Sequence, residues 1–386
     1  MNTILEAVKK VAEDFSATTD GLKGRIEQLE VASDRPGNPG AGADQNAVEH
    51  KDVFLEWIRD PHNGSTKRRL DDAQQEMIEK KAVTIGTESA GGYALPAIIA
   101  NQVEERVTTL NPFRQICRVN RVGSSDYAHL VSKNQAGSGW VGEGDSRSET
   151  DTSELLERKP TFGTVYAYPK ASEESFQDIF FDVEGWLINE ISDGFAAAEA
   201  TAFVTGNGTN KPTGFLNAAP VTTADDASPE RTAGTLRYLP MDSSSPQALH
   251  ADDLYDLAGS FKDGYLFDER SVAWVMRQST LTVIRKLKDN YGAYLLQPSL
   301  QAGTPNMLLG FPVYTTDAMP AYSADNHPIA FGNWNRGYLI ADRSNIALTV
   351  DDNITTPGQI KFYARKRVGG IVLNDEALRV LKYSDS

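Results

Sequence analysis

Two glycine-rich stretches have the residue types of a phosphate-binding loop. Residues 137–142, GSGWVG, match the spacing that lets a dinucleotide-binding backbone approach a pyrophosphate at the start of a helix. Here Trp140 would block that approach, and the acidic residues that follow start no helix. Residues 206–214 contain Lys211, but they follow a predicted helix, whereas a P-loop follows a strand. We therefore predict no nucleotide site at either stretch and a turn at the second.

Paired carboxylates could act as general acid and base if a pocket separated their pKa values. Such pairs occur at residues 225–226, 252–253 and 351–352, each beside small or polar residues, so we interpret them as turn or cap residues. Cys117 has no histidine near it in sequence and is predicted to be a buried small hydrophobic residue. The five histidines are scattered without metal-ligand spacing. The sequence thus predicts no catalytic residue, no cofactor and no metal.

The composition limits the class of protein further. The chain has 386 residues, of which 40% are hydrophobic, so it can form packed domains. It has no apolar run of about 18 residues, and we expect no membrane partner. The net charge of −15 argues against tight electrostatic binding of nucleic acid, which requires clustered lysine and arginine. The short basic runs 67–69 and 365–367 are predicted to face solvent.

Residues 1–30 carry apolar side chains spaced by three or four residues with one interruption, which is the heptad pattern of a coiled coil. The stripe includes Leu5, Val8, Phe15, Leu22 and Leu29. It spans only about three and a half heptads, so we expect weak, reversible self-association. A single amphipathic helix packed on its own domain is the alternative. The proline- and glycine-rich residues 33–46 are predicted to be a linker.

Residues 114–169 change to short β-like runs separated by Gly, Ser, Asp and Glu, which predicts a long two-stranded excursion. Its middle, which contains Trp140 and Glu143, is too polar to form a core. Because a two-stranded ribbon is marginally stable alone, we expect this segment to project from the body or to lie on a neighbouring subunit.

Residues 182–205 form the strongest predicted helix, since apolar side chains including Trp186 recur at helical spacing. Asp182 is the expected N-cap, and the glycine-rich residues 206–208 are the expected stop. An α/β region follows, with helices predicted near 252–259 and 279–287 and strands near 272–276, 308–314 and 329–331. The tail, residues 346–381, is predicted to be mainly β.

The order of these features, together with a series of short motifs, resembles the major capsid proteins of tailed phages with the Hong Kong 97 fold. The resemblance covers residues 86–386, and no single motif is specific, but the whole series in order is. The motifs are GGYALP at 91–96, WVGE at 140–143, the helix 182–208 followed by PTGFL at 212–216, LKDNYGAYL at 287–295, LGFPV at 309–313, FGNWNRGY at 331–338 and GGIVLNDEAL at 369–378.

The resemblance implies an α+β protein with the Hong Kong 97-type capsid fold. Its N-terminal part would be a delta-like scaffolding segment that a prohead protease removes between about Lys80 and Gly92. The implied parts are a coiled-coil scaffolding segment plus linker (1–85), an N-terminal arm (86–115), an extended β loop (116–169), a peripheral domain with a long spine helix (170–215 and 345–386) and an α/β axial domain (216–344).

The resemblance also implies the function of a major capsid protein. The chain would assemble in the host bacterial cytoplasm through pentamers and hexamers into an icosahedral shell around double-stranded DNA. A portal protein and a prohead protease would be further partners. The candidate assembly residues are Leu5, Val8, Phe15, Leu22, Leu29, Trp140, Glu143 and Trp186. Some members also join a lysine to a neighbour's asparagine, for which Lys133, Lys159 and Asn353 are the candidates here.

Three alternatives remain open at the level of sequence. An encapsulin-type nanocompartment would use the same fold to hold a protein cargo, although the long N-terminal segment and the polar excursion argue against it. A gene-transfer-agent capsid cannot be separated from a phage capsid by sequence. From another class, a small α/β enzyme would be a small, monodisperse species with a pocket of perturbed residues.

Overall fold

The computed structural model describes the greater part of the chain after residue 50. The described residues are 51–57, 64–80, 93–94, 97–124, 126–133, 140, 149, 154–172, 182–225, 227–229, 231–241, 249–262, 264–266, 271–288, 307–343, 346–351 and 359–383. Several predictions fall outside them. These are the coiled coil with Leu5, Val8, Phe15, Leu22 and Leu29, the linker, the expected cleavage region after Lys80, and the residues Glu143 and Asn353.

The chain divides into two compact units, Met1–Thr87 with Pro96–Ile98, and Glu88–Leu95 with Ile99–Ser386. In the first unit, residues 51–57 are helical and helix α1 spans Gly64–Lys80. Phe54 and Trp57 are buried, with ring centroids 5.9 Å apart. The basic run 67–69 is exposed, which confirms its predicted contact with solvent.

The remaining helices are short except for one. Their bounds are α2 (Ala97–Leu110), α3 (Pro112–Ile116), α4 (Val183–Thr205), α5 (Ala251–Gly259), α6 (Gln278–Arg285) and α7 (Trp334–Gly337), with a 3-10 turn at Asp375–Ala377. The 23-residue helix α4 has the ends that the sequence predicted. The Asp182 carboxylate accepts a hydrogen bond from the Gly185 backbone N–H at 3.0 Å, and Gly206 ends the helix.

Fifteen strands form three sheets among the described residues. They are β1 (Tyr93–Ala94), β2 (Arg118–Arg121), β3 (His129–Lys133), β4 (Glu154–Arg158), β5 (Thr161–Ala167), β6 (Lys170–Ser172), β7 (Arg237–Pro240), β8 (Val272–Met276), β9 (Met307–Leu308), β10 (Phe311–Thr315), β11 (Ile329–Asn333), β12 (Tyr338–Asp342), β13 (Ala347–Asp351), β14 (Gln359–Val372) and β15 (Leu378–Lys382).

The two larger sheets share one buried core, which includes Val275 and Ile340, and a second core lies on the other face of the six-stranded sheet, around Trp274. The seven-stranded sheet has the order β1-β13-β14-β12-β2, and β5 and β6 pair with the other edge of the long strand β14. The six-stranded sheet has the order β7-β15-β11-β8-β10-β9. Every residue of β8 and β11 is buried, as expected for central strands covered on both faces. The third sheet is the antiparallel pair β3–β4, called here the extended hairpin.

The sheets divide the chain differently from the predicted parts in three places. Strand β15, predicted as part of the peripheral return 345–386, lies in the six-stranded sheet between β7 and β11. Its first four residues are buried because the strand lies in the interior of this sheet, where both of its faces are covered. Strand β12, predicted within the axial segment, lies in the seven-stranded sheet. Strands β2 and β5, predicted within the extended loop 116–169, also belong to that sheet. Among the described residues of this segment, only β3 and β4 form a separate pair.

Residues 206–214 form a turn, as predicted. The Gly214 N–H donates to the Gly206 carbonyl at 2.8 Å, and a β-bridge joins Asn207 to Thr213. A Cβ at Gly206 would lie 2.2 Å from the Pro212 carbonyl oxygen, so this close approach of two backbones requires glycine.

Candidate assembly surfaces

The extended hairpin exposes apolar side chains. Leu130 lies opposite Glu157, and Leu155 lies opposite Ser132, in the antiparallel register of β3 and β4. Since opposite residues share a face and alternate residues along a strand share it too, both leucines lie on one face of the hairpin. Leu130 is 62% exposed and Leu155 is 64% exposed. The subunit alone therefore leaves an apolar strip uncovered on a marginally stable ribbon.

Trp140, predicted as an interface residue, has a fully exposed side chain. It follows β3 in the stretch that joins the two strands of the extended hairpin in sequence. A fully exposed tryptophan is unusual for a folded surface and is typical of a side chain that a partner buries. Its role in assembly stays a prediction.

A second exposed surface combines tyrosines with cations on the seven-stranded sheet. The Tyr166 and Tyr168 rings each lie 5.9 Å from the Tyr363 ring, which places all three on the same face of the seven-stranded sheet. In register, Arg365 lies opposite Tyr166, Arg367 opposite Thr164, and Lys361 opposite Lys170. We call this surface the tyrosine–basic face; its members are Tyr166, Tyr168, Lys170, Lys361, Tyr363, Arg365 and Arg367.

Helix α4 packs on the opposite face of that sheet. Trp186 is half-buried, with its ring 6.1 Å from that of Phe362, so it is not the fully enclosed core residue that helical spacing suggests. From residue 194 onward, the exposed positions of the helix are small residues instead of the charged side chains usual there. These positions are Gly194, Ala197, Ala198, Thr201 and Thr205.

A buried ion network joins α3, α4, β12 and β14. The Arg114 guanidinium donates to both Glu199 carboxylate oxygens at 2.6 and 2.8 Å. It also donates to both Asp342 oxygens, at 2.8 and 3.0 Å. Lys366 Nζ lies 3.5 Å from Asp342 Oδ1. Side-chain exposure within the network is at most 13%, so these charges balance one another away from solvent.

The network sets the ionisation of its members. Burial by itself would raise the pKa of Asp342, but hydrogen bonds and charge from Arg114 and Lys366 outweigh burial and lower that pKa. Burial would lower the pKa of Arg114, and the charge of Glu199 with the bonds from both carboxylates raises it instead. Both groups are therefore charged at neutral pH.

A second network of buried ion pairs lies beside β15 of the six-stranded sheet. Asp225 accepts from Arg231 at 2.5 Å and from Arg379, and Arg231 also bonds to Asp375 at 3.0 Å. Asp225 lies in a turn, as predicted, but its carboxylate is 5% exposed and pairs with two guanidinium groups, which the sequence did not indicate. The prediction of a solvated run at 365–367 is likewise wrong for Lys366, which is buried against Asp342.

Two further predicted residues can be placed. Cys117 is buried, and burial raises the pKa of its thiol, which confirms a small hydrophobic residue in place of a nucleophile. The crosslink candidate Lys159 forms surface contacts, 3.4 Å from Glu157 and 4.0 Å from Asp126. Within the described residues there is no cluster of metal ligands, and no described helix is long and apolar enough to cross a membrane.

Comparison with known proteins gives one family. The model of the phage capsid family matches residues 91–383. A search of curated proteins finds no match.

Solved structures agree with that family. The chain is similar to the capsid of a native GTA particle computed with C5 symmetry, at 33% identity and a TM-score of 0.60, covering 79% of this chain and 96% of that one. It is also similar to the capsid of an empty GTA particle, at 36% identity and a TM-score of 0.59, covering 71% of this chain and 90% of that one. A solved structure from Mycobacterium phage Bobi shares the fold at 14% identity and a TM-score of 0.50, covering 81% of this chain and 99% of that one. These likenesses confirm the α+β capsid fold predicted from the sequence.

Proposed function

Because the chain belongs to the phage capsid family and is a major capsid protein that forms an icosahedral shell, we propose that neighbouring copies are joined by the extended hairpin, which lies on the tyrosine–basic face of the next copy. The observation that carries this proposal is the uncovered apolar strip at Leu130 and Leu155. The subunit holds these side chains on a two-stranded ribbon without a core, and a neighbour supplies the missing cover.

Charge complementarity supports the pairing. Residues 141–154, which lead from the connection between the hairpin strands to the first residue of β4, contain five acidic residues and one arginine. The tyrosine–basic face presents Lys170, Lys361, Arg365 and Arg367, in a chain whose net charge is −15. Asp351 is the acidic residue of the neighbouring strand at the position opposite Lys361. Opposite potentials on two surfaces of the same chain favour association between copies and fix its register.

Apolar complementarity adds the larger part of the binding free energy. Tyr166 is 63% exposed, and Leu130 and Leu155 are exposed to a similar degree. Tyrosine contributes a wide apolar ring at low conformational cost, and burying it against leucine removes both from water. A contact of this kind is repeated at every subunit of a closed shell, so modest strength per contact is sufficient.

Charge reversal with rescue tests the pairing. We expect K170E/K361E to reduce the yield of closed shells at least about tenfold, because two attractions become repulsions. Adding E149K/D151K to the same chain should restore shells, since the charges are then exchanged between the two surfaces. Light scattering after size exclusion and negative-stain microscopy measure the yield.

Lys286→Glu is the matched control, as it reverses an exposed lysine at the end of α6 outside both surfaces. It should leave the yield of shells unchanged. Because Asp351 lies opposite Lys361 within the subunit, the unfolding transition of each variant is measured as well. In variants that unfold like the parent, normal shells from K170E/K361E, or a defect that the exchanged charges do not repair, would show that the hairpin lies elsewhere.

We further propose that the shell encloses double-stranded DNA without tight electrostatic binding and that a portal protein and a prohead protease act with it. The net charge of −15 supports this, because a negative chain releases few counterions from DNA and leaves packaged DNA mobile. Assembly would take place in the host cytoplasm through pentamers and hexamers.

The N-terminal residues 1–85 are proposed to be a scaffolding segment that the protease removes. Their support is the heptad stripe with Leu5, Val8 and Phe15 followed by a linker, a combination suited to weak and reversible association. Deleting residues 1–80 is expected to give aberrant or no shells while the folded body survives, as shown by an unchanged unfolding transition. Uniform shells from the truncated chain would contradict this role, and mass spectrometry of shells made with the protease locates the cut.

A gene-transfer-agent capsid is the second candidate. It is favoured by the 33% and 36% identity to capsids of GTA particles. Sequencing the DNA inside purified particles separates the two: a single defined genome indicates a phage, and random fragments of the host genome indicate a gene-transfer agent.

A further inference from the structure

A polar cluster lies where the extended hairpin leaves the seven-stranded sheet, and we call it the hairpin-root cluster. Its members are Arg118, Asn120, Tyr127, His129 and Asn335. Asn120 Nδ2 donates to Tyr127 Oη at 3.0 Å, and Tyr127 Oη lies 3.2 Å from His129 Nδ1. Arg118 Nη1 lies 3.4 Å from His129 Nε2, and Arg118 Nε donates to Asn335 Oδ1 at 3.2 Å. His129 is the member on the hairpin, and it connects to β2 on the sheet.

One protonation state of His129 satisfies all of these contacts. A guanidinium group only donates, so Nε2 must be unprotonated to accept from Arg118. The proton of the neutral imidazole then lies on Nδ1, where it donates to Tyr127 Oη. The tyrosine oxygen has a second lone pair for the Asn120 amide. Adding a proton at Nε2 removes the acceptor and places a cation against Arg118.

The charges around His129 are mostly positive. Arg158 is its direct partner across the hairpin register, and Arg118 faces it from β2. Lys159 neighbours Arg158 and lies beside Asp126, which is largely exposed, and Glu157. Among the described residues, the hydrogen-bonding contacts of His129 are with Arg118 and Tyr127, and neither is a carboxylate. Burial, followed by the charge of Arg118, lowers the pKa of His129 below its ordinary value.

We propose that neutral His129 is a latch that fixes the angle of the extended hairpin against the body, and that protonation of this imidazole releases the hairpin. The hairpin shares no strand pairing with the seven-stranded sheet among the described residues. Its angle therefore depends on the hairpin-root cluster, on the chain segments at its two ends and on the long hydrogen bond that Arg158 donates to the Ala233 carbonyl at 3.5 Å. The inference concerns the free subunit and does not depend on where a neighbour receives the hairpin.

The direction of the pH dependence follows from linkage. The latched form has the lower pKa and binds a proton less well than the released form, whose imidazole titrates near 6.5. The latch is therefore at full strength above about pH 6.5 and weakens as the pH falls. As the pH falls, the ratio of released to latched hairpin increases by up to about tenfold for each unit by which the two pKa values of His129 differ. The ratio stops changing once His129 is protonated in both forms.

Distance measurement between two spin labels tests the latch in the unassembled full chain. Labels on Leu155→Cys of the hairpin and Thr201→Cys on the exposed side of α4 report the angle, and the buried Cys117 remains unlabelled. We expect one narrow distance distribution at pH 8 and a broadened or shifted one at pH 5.5. The H129Q variant, which cannot be protonated, should show no pH dependence, and H129K should be broadened already at pH 8.

His327→Gln is the matched control, because His327 also has a pKa lowered by burial but lies outside the hairpin-root cluster. It should keep the pH response of the parent chain. An invariant distribution in the parent, a pH response that persists in H129Q, or a narrow distribution for H129K at pH 8 would each overturn the latch. Shell formation is a separate measurement, so failure here leaves the proposed contact between copies standing.

Discussion

Replacing Arg114 with alanine is expected to lower the free energy of unfolding of the subunit by about 3–5 kcal/mol. The guanidinium is the shared donor to Glu199 and Asp342, with four hydrogen bonds between 2.6 and 3.0 Å. Without it, Glu199 is left as a buried carboxylate that has lost both of these bonds, and Asp342 keeps only the longer contact with Lys366. An uncompensated buried charge costs far more than the lost attraction.

Arg106→Ala is the matched control for this prediction. Arg106 also pairs with an aspartate of α4, Asp193, at 3.2 Å, but both side chains are about half exposed. Exposed pairs contribute about 0–1 kcal/mol, so the control should unfold near the denaturant midpoint of the parent chain. Denaturant unfolding of the unassembled subunit measures both variants. Equal stability of the two would mean that the Arg114 network is solvated in solution.

The position of this network connects stability to assembly. Helix α3, which carries Arg114, runs directly into β2, and the extended hairpin follows β2 in the chain. Asp342 ends β12, the parallel partner of β2. The network therefore fixes the strand from which the hairpin departs, and the hairpin-root cluster then fixes its angle. Two layers of polar contacts hold a segment that lacks a core of its own.

Local patterns predicted the elements whose signals lie within a single segment. Helix α4 has apolar spacing over its whole length, with Asp182 and Gly206 as local start and stop signals. Strand β8 is an uninterrupted apolar run, and its predicted bounds match the structure. In both cases the information that decides the structure lies within a few residues of the element.

Partners distant in sequence explain what could not be predicted. The turn at Asp225 is predictable, but its buried ion pair is not, because its partner Arg379 lies 154 positions away. Lys366 was assigned to solvent with its basic neighbours, although the alternation of Phe362, Ala364 and Val368 along β14 was a usable signal that position 366 faces inward. The two-residue period of a strand separates Lys366 from Arg365 and Arg367, which point the other way.

The candidate surfaces were predictable to different extents. The polar excursion with Trp140 was visible in the sequence, because a segment without enough apolar residues cannot form a core. The tyrosine–basic face was not, since it exists only where β5 pairs with β14, about two hundred residues later in the chain. A segment that cannot form its own core is therefore predictable from local sequence, whereas a surface formed by strands distant in sequence is not.

Replacing Trp334 with alanine is expected to cost about 3–5 kcal/mol of stability. The side chain is fully buried, with its ring 5.2 Å from that of Phe215 and 5.6 Å from that of Phe113. Its indole Nε1 donates to the Ala273 carbonyl at 2.9 Å. Truncation leaves a cavity among these rings and removes the donor from a buried carbonyl, and the two costs add.

Trp186→Ala provides the comparison, because this tryptophan is only half-buried, with its ring 6.1 Å from that of Phe362. Its loss should cost the isolated subunit roughly half as much, since less apolar area returns to water. Denaturant unfolding of the unassembled chain measures both changes. If Trp186→Ala were as damaging as Trp334→Ala in the free subunit, Trp186 would be a core residue, whereas damage confined to shell assembly would identify it as an interface residue. Trp334 lies between β11 of the six-stranded sheet and β12 of the seven-stranded sheet, so its loss should loosen both sheets at once.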